Sequence, residues 1–201
     1  NAVSPDGAAL AALPEAQARR GRNGGGEARV STTDAEARVM KMADGGWRPA
    51  YNVQFAVDTA SQVVVGVEVA CVGNDQPCLE PMAEQIASRY ARLPPEYLVD
   101  GGFVSLAAIE RLSERGMTVY APPPAPWSGR DAAIAREDDT PAVAAWRARM
   151  QTEAAKLIYR ERAATSECVN AHARRRGLTA LRVRGSAKVR AVTLWHALAH
   201  N

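Results

Sequence analysis

The 201-residue sequence has only two phenylalanines and three cysteines, and no acidic residue after Glu167. With so little Phe, any core must be built from aliphatic residues, Met and many alanines. The apolar fraction of 47% is nonetheless ordinary for a soluble globular chain. Cys71, Cys78 and Cys168 are odd in number and lack metal-type spacing. That argues against a disulfide scaffold or a zinc module and predicts buried thiols in a reducing compartment. No apolar run approaches the roughly 20 residues that span a bilayer, and there is no signal-peptide pattern, so no membrane partner is expected. There is no Walker loop, no GxGxxG and no GxSxG elbow. With Asn1 in place of an initiating Met, a fragment of a longer chain is expected.

The missing acids make the charge lopsided. Arg174, Arg175, Arg176, Arg182, Arg184, Lys188 and Arg190 are seven of the 25 basic residues. The remaining 18 face all 22 acids in residues 1–167, so a net charge of +3 hides a balance of −4 before the basic segment. A basic segment on a mildly acidic body fits a polyanionic partner, or simply a solvated basic surface.

Residues 1–46 show little periodicity, and the Gly/Arg-rich RRGRNGGGEAR at 19–29 predicts a flexible linker or insertion. The ordered domain is expected to occupy 47–201. In YNVQFAVD (51–58), Tyr51, Val53, Phe55 and Val57 alternate with Asn52, Gln54, Ala56 and Asp58, a strand period. The β-branched run at 63–72 predicts its hairpin partner. Leu79, Met82, Ile86 and Tyr90 then follow helical spacing, with Pro77 suiting the first turn. YLVD predicts a short third strand. Ser105 is a candidate cap for a helix burying Leu106, Ile109 and Leu112, and MTVYAP predicts a fourth strand. Residues 122–150 are expected to be a Pro-rich surface insertion, although Thr140-Pro141 is a helix-start signal. Helix then runs to about Arg175, with a break near Met150 and a buried stripe of Trp146, Met150, Leu157 and Ile158. Residues 189–200 predict another helix. This order indicates an α/β fold, a mixed sheet with flanking helices.

The chemistry-bearing residues are carboxylates. Asp100 in EYLVDGGF (96–103) ends a strand, where ligands of open α/β sheets bind, and two glycines follow it. The plain alternative is a turn cap, which Asp-Gly-Gly favours locally. Glu167 shares a helical face with Tyr159, Ala163 and Asn170, with Arg174 further along. Its alternative is a surface glutamate. Asp58 suits a hairpin turn and Asp75 a helix cap, while the role of Glu68 stays open. His196 and His200 form an HxxxH pair without a third ligand, so packing or surface roles are expected of them.

These stretches, in order, resemble the DDE-type transposases of bacterial insertion sequences, whose catalytic domain has a ribonuclease-H-like fold. The resemblance covers about 32–200 and rests on TTDAEARVMK, YNVQFAVD, GNDQPCLEPM, LVDGGF, YRERAATSECVNA and the closing LWHALAHN. It implies that Asp100 and Glu167 are the second and third catalytic, metal-binding acids. It also implies that Tyr159, Arg162 and Arg174 serve DNA, Arg174 standing near a position where the family expects lysine. The implied cofactor is Mg²⁺ or Mn²⁺, two ions about 4 Å apart acting on attacking and leaving oxygens. The implied partner is double-stranded DNA, both transposon ends and target, bound as a homodimer in the bacterial cytoplasm. Neither Asp58 nor any other residue matches the family's first aspartate. The resemblance therefore implies a chain lacking that acid and a central strand, inactive and aggregation-prone by itself. Two other readings stay open: a non-catalytic DNA-binding remnant, and a metal-dependent nuclease of the same fold.

Overall fold

The computed structural model describes residues 5–20, 28–42, 44–124 and 134–201. In chain order these form α1 (Pro5–Arg20), β1 (Arg38–Lys41), β2 (Trp47–Ala50), β3 (Asn52–Val57), β4 (Val64–Ala70) and α2 (Leu79–Tyr90). There follow β5 (Glu96–Leu98), α3 (Leu106–Glu114), β6 (Thr118–Tyr120), α4 (Pro141–Gln151), α5 (Glu153–Arg162), α6 (Cys168–Arg175) and α7 (Ser186–His200). The mixed α/β class holds. The single mixed sheet does not: the described strands pair as β1–β2, β3–β4 and β5–β6, three separate two-stranded sheets. Joining them needs a strand hydrogen-bonded to two of these pairs, and no described segment supplies one.

The chain divides into two compact units. The first comprises 1–54, 67–73 and 174–199. It corrects the reading of 1–46 as linker, because α1 and β1 lie inside that range. Alanine, the best helix former, dominates α1 without making an apolar stripe, so the helix left no periodic trace. Of the Gly/Arg-rich run at 19–29, residues 21–27 lie outside the described residues.

The acids of TTDAEARVMK have a structural task in this unit. Asp34 accepts hydrogen bonds from the Tyr51 hydroxyl and from the Gly185 amide at 3.0 Å. Glu36 accepts from the Ser186 amide at 3.0 Å and from the Ser186 hydroxyl. The first amides of a helix lack intrahelical acceptors, and its N-terminus favours negative charge. Two distant carboxylates thus cap α7, whose own neighbourhood in sequence has no acid to offer. Glu68, whose role the sequence left open, pairs with Arg190 at 3.5 Å.

The second unit comprises 55–66, 74–173 and 200–201. Its core gathers Leu79, Leu112, Val119 and Trp146, from α2, α3, β6 and α4. β5 and β6 pair in parallel, Tyr97 opposite Val119, with α3 as the crossover between them. The range 122–150 is not all surface insertion. Thr140 caps α4, Pro141 opens it, and Val143, Trp146 and Met150 are buried. Residues 125–133 of that range lie outside the described residues. Arg147, beside Trp146, is a buried charge. Arg147 Nε donates to Asp139 at 2.7 Å, and both side chains are at most 2% exposed. The break predicted near Met150 falls at Thr152, whose hydroxyl accepts from the Ala155 amide and caps α5.

Several buried faces differ from the periodic reading. In β3 the buried residues are Gln54 and Ala56, not the Tyr51–Phe55 face. The small Ala56 lets Gly66 and Met82 close on the strand: a Cβ on Gly66 would stand 3.1 Å from the Ala56 methyl and 2.6 Å from Met82 Sδ. Leu106, Leu157 and Tyr90 are exposed, and α3 buries Ala108 with Ile109 and Leu112 instead. Ser105 precedes α3 but makes no side-chain capping bond. Of the three free thiols only Cys78 is buried, while Cys71 and Cys168 are half-buried. No described helix is long and apolar enough to cross a membrane.

Candidate active site

Asp100 stands just past the end of β5, where Val99 is still tied to β6 by a 3.0 Å bond from its amide to the Tyr120 carbonyl. It caps the 3-10 turn Gly101–Phe103, with Oδ1 accepting from the Gly102 amide at 2.8 Å. The local turn reading is therefore correct, and it does not consume the carboxylate. The two glycines differ in what they do. A Cβ on Gly101 would meet only Pro122, at an ordinary 3.5 Å. A Cβ on Gly102 would lie 3.0 Å from Asp100 Oδ1 and 3.5 Å from Asp75 Oδ2. Gly102 keeps the space beside Asp100 open. Asp75 precedes the 3-10 turn Gln76–Cys78 without capping it through its side chain.

Glu167 is the last residue of a π-helical turn, Ala163–Glu167, that joins α5 to α6. Its carboxylate is 63% exposed and meets the Arg162 guanidinium at 3.3 Å. Such a pair is worth little in water, so Arg162 restrains Glu167 without locking it away from another cation. The same guanidinium sits 5.6 Å from the centroid of the Tyr159 ring. Tyr159 packs against the second unit's core. Burial pushes its hydroxyl above the ordinary range, Arg162 opposes the shift, and the charges of Asp100 and Glu167 add to it. One phenol thus feels both acids. Of the five residues singled out from sequence, Arg162 contacts both Tyr159 and Glu167, and Asp100 is linked to them by its charge acting on the Tyr159 hydroxyl. Arg174, exposed in the last turn of α6, belongs to the first unit.

A profile of the transposase DDE domain family matches residues 27–201. The chain belongs to that family. No curated protein and no solved structure matches it. The family matches 20 residues before Trp47, which agrees with the structural work of Asp34 and Glu36 in the first unit.

The other candidates fall to structural roles. Asp58 Oδ2 accepts the Ser61 amide at 2.8 Å and the Ser61 hydroxyl at 2.5 Å, and Ser61 holds this carboxyl below its ordinary range. It closes the hairpin turn. His200 contacts the Gln62 carbonyl at 3.0 Å. Among the described residues no group of three or more His, Cys, Asp or Glu side chains is arranged to hold a metal. Sequence reasoning missed Thr165, a buried hydroxyl inside the π turn, because nothing in a helical repeat announces an added residue.

Proposed function

We propose that this chain carries part of the catalytic site of a DDE transposase of ribonuclease-H-like architecture. In this reading the site, once its acid set is complete, cleaves DNA strands at insertion-sequence ends and joins them to target DNA in the bacterial cytoplasm. The observation that carries the reading is the grouping of Tyr159, Arg162 and Glu167 on one helical segment, in a chain of the DDE family whose Asp100 stands just past the end of β5. Asp100 and Glu167 offer the oxygen donors that a hard dication takes, and Gly102 leaves room at Asp100. When bound, Mg²⁺ or Mn²⁺ would supply an activated oxygen nucleophile and offset charge on the phosphate. The chain's own residues hold the donors: the Gly102 amide orients Asp100, and Arg162 restrains Glu167. Tyr159 and Arg162 present a ring and a guanidinium to the DNA next to the reacting phosphate. Two carboxylates are one short of the family's set, and Asp58 is committed to its turn.

Strand cleavage on an end-bearing duplex, in a protein with the complete acid set, tests the reading. Asp100→Asn and Glu167→Gln each abolish cleavage and leave duplex affinity nearly unchanged. Cleavage surviving either substitution rejects that residue's role.

A second reading, DNA binding without chemistry, is favoured by the exposed cations Arg174, Arg175, Arg176, Arg182, Arg184 and Lys188. Affinity for duplex DNA then falls with salt at a log–log slope of about −0.9 per neutralised phosphate. A flat salt response removes this basic segment from DNA binding.

A further inference from the structure

Tyr159 and Glu167 are eight positions apart in sequence. In a uniform α-helix that is about 2.2 turns and leaves them about 80° apart around the axis. Here α5 and α6 are joined without a break through the wider turn Ala163–Glu167. A π turn bonds i to i+5 and so takes in one residue without advancing the helix. The eight-residue step then turns about as far as seven, bringing Glu167 to within about 20° of Tyr159. The side chains agree. Arg162 reaches Glu167 at 3.3 Å across five positions, a spacing too far around a regular α-helix for neighbours.

A widened turn needs its carbonyls satisfied from elsewhere. Thr165 does this. It is 2% exposed, and its hydroxyl lies 3.0 Å from the Glu161 carbonyl and 3.1 Å from that of Arg162. Such back-bonding is available to Ser and Thr alone among helix residues of this size.

We propose that Thr165 is a positioning residue: its buried hydroxyl holds the π turn that brings Glu167 onto the face of Tyr159 and Arg162. What Glu167 does on that face rests on the metal reading above, whereas its placement there does not.

Two probes on the whole chain test this. The first is Mn²⁺ titration followed by electron paramagnetic resonance, with helix content checked by circular dichroism. Thr165→Val weakens Mn²⁺ binding by about tenfold or more, the usual scale for losing a group that orients a ligand. Thr165→Ser, which keeps the hydroxyl, stays near the parent. Deleting Ala164 from the Thr165→Val chain restores affinity, because a plain α-turn one residue shorter presents the same face. A Thr165→Val chain that binds like the parent, or a deletion that restores nothing, overturns the proposal.

The second probe is Zn²⁺ binding to the double variant Arg162→His/Glu167→His. Two imidazoles five positions apart chelate one ion only across a widened turn. Binding is expected, and adding Thr165→Val removes it; no chelation with Thr165 in place overturns the assigned role. If the parent shows no Mn²⁺ binding that depends on Asp100 and Glu167, the metal reading falls, and the Zn²⁺ result decides the positioning role alone.

Discussion

The Tyr51 hydroxyl lies 3.0 and 2.9 Å from the two carboxylate oxygens of Asp34, and Asp34 also takes the Gly185 amide. One acid therefore ties a strand start to the entrance of α7. Asp34→Ala strands a half-buried hydroxyl and an amide together and costs about 1–3 kcal/mol, whereas Tyr51→Phe costs about 1 kcal/mol. Denaturant midpoints rank the two, and amide exchange at Gly185 accelerates only in the Asp34 variant. Equal acceleration in both would show that Asp34 secures α7 only while the Tyr51 hydroxyl holds it in place. Burial, with the bond to Asp34, raises the Tyr51 ionisation above its ordinary value. That stabilisation is complete below about pH 10 and is lost as pH rises from there towards the higher folded value.

The Asp139–Arg147 pair gives the strongest stability effect. Arg147→Ala or Asp139→Ala leaves the other charge buried alone and costs about 3–5 kcal/mol. Replacing both with apolar residues of similar size recovers most of the loss. Burial by itself would raise the Asp139 carboxyl, but the Arg136 amide and the Arg147 guanidinium outweigh it, and the group ionises below its ordinary range. Its contribution is present above about pH 4 and lost as pH falls through the lower folded value. Acid titration of the double variant lacks this component; an unchanged acid limb would rule the pair out as its source.

Gly66→Ala overpacks the second unit. The new methyl would meet Met82 Sδ at 2.6 Å, and a methionine can move, so the cost is about 1–3 kcal/mol rather than loss of folding. Adding Met82→Ala removes most of the cost of Gly66→Ala, leaving the 3.1 Å approach to the Ala56 methyl. Strict additivity of the two changes in thermal denaturation would contradict this contact.

Gly102→Ala separates site from fold. Its methyl would press on Asp100 Oδ1 at 3.0 Å while leaving the buried core untouched. Thermal stability changes by less than about 1 kcal/mol. Mn²⁺ affinity drops by about tenfold, the scale of a disturbed ligand orientation. Gly101→Ala, with its open surroundings, leaves Mn²⁺ affinity unchanged. Equal effects from both substitutions would refute the steric distinction.

The sequence made the second unit legible and hid much of the first. α2, α3 and the parallel strands carry apolar residues at their own periods, and α4 announces itself through Thr140-Pro141. α1 carries no such stripe, and Asp34 and Glu36 act on residues about 150 positions away, which no local pattern records. Tertiary contact also reversed the face of β3, because Ala56 opposite Gly66 permits closer packing than Phe55 would. At the site, Asp100 and Glu167 stood out by type and context. Thr165 did not: an added residue in a helix shifts the phase of everything after it without changing the composition.

The discontinuous first unit has a consequence for synthesis. The second unit's core lies within one stretch, Asn74–Ala173, whereas Asp34 and Glu36 await α7, made about 150 residues later. On the ribosome the middle of the protein emerges entire before α7 exists, so it folds first and the two ends close last. Stalled nascent chains exposing residues up to 173 should already protect Trp146 from solvent, while Asp34 and Glu36 still hold no partner from α7. Bare Trp146 at that length would reverse the order.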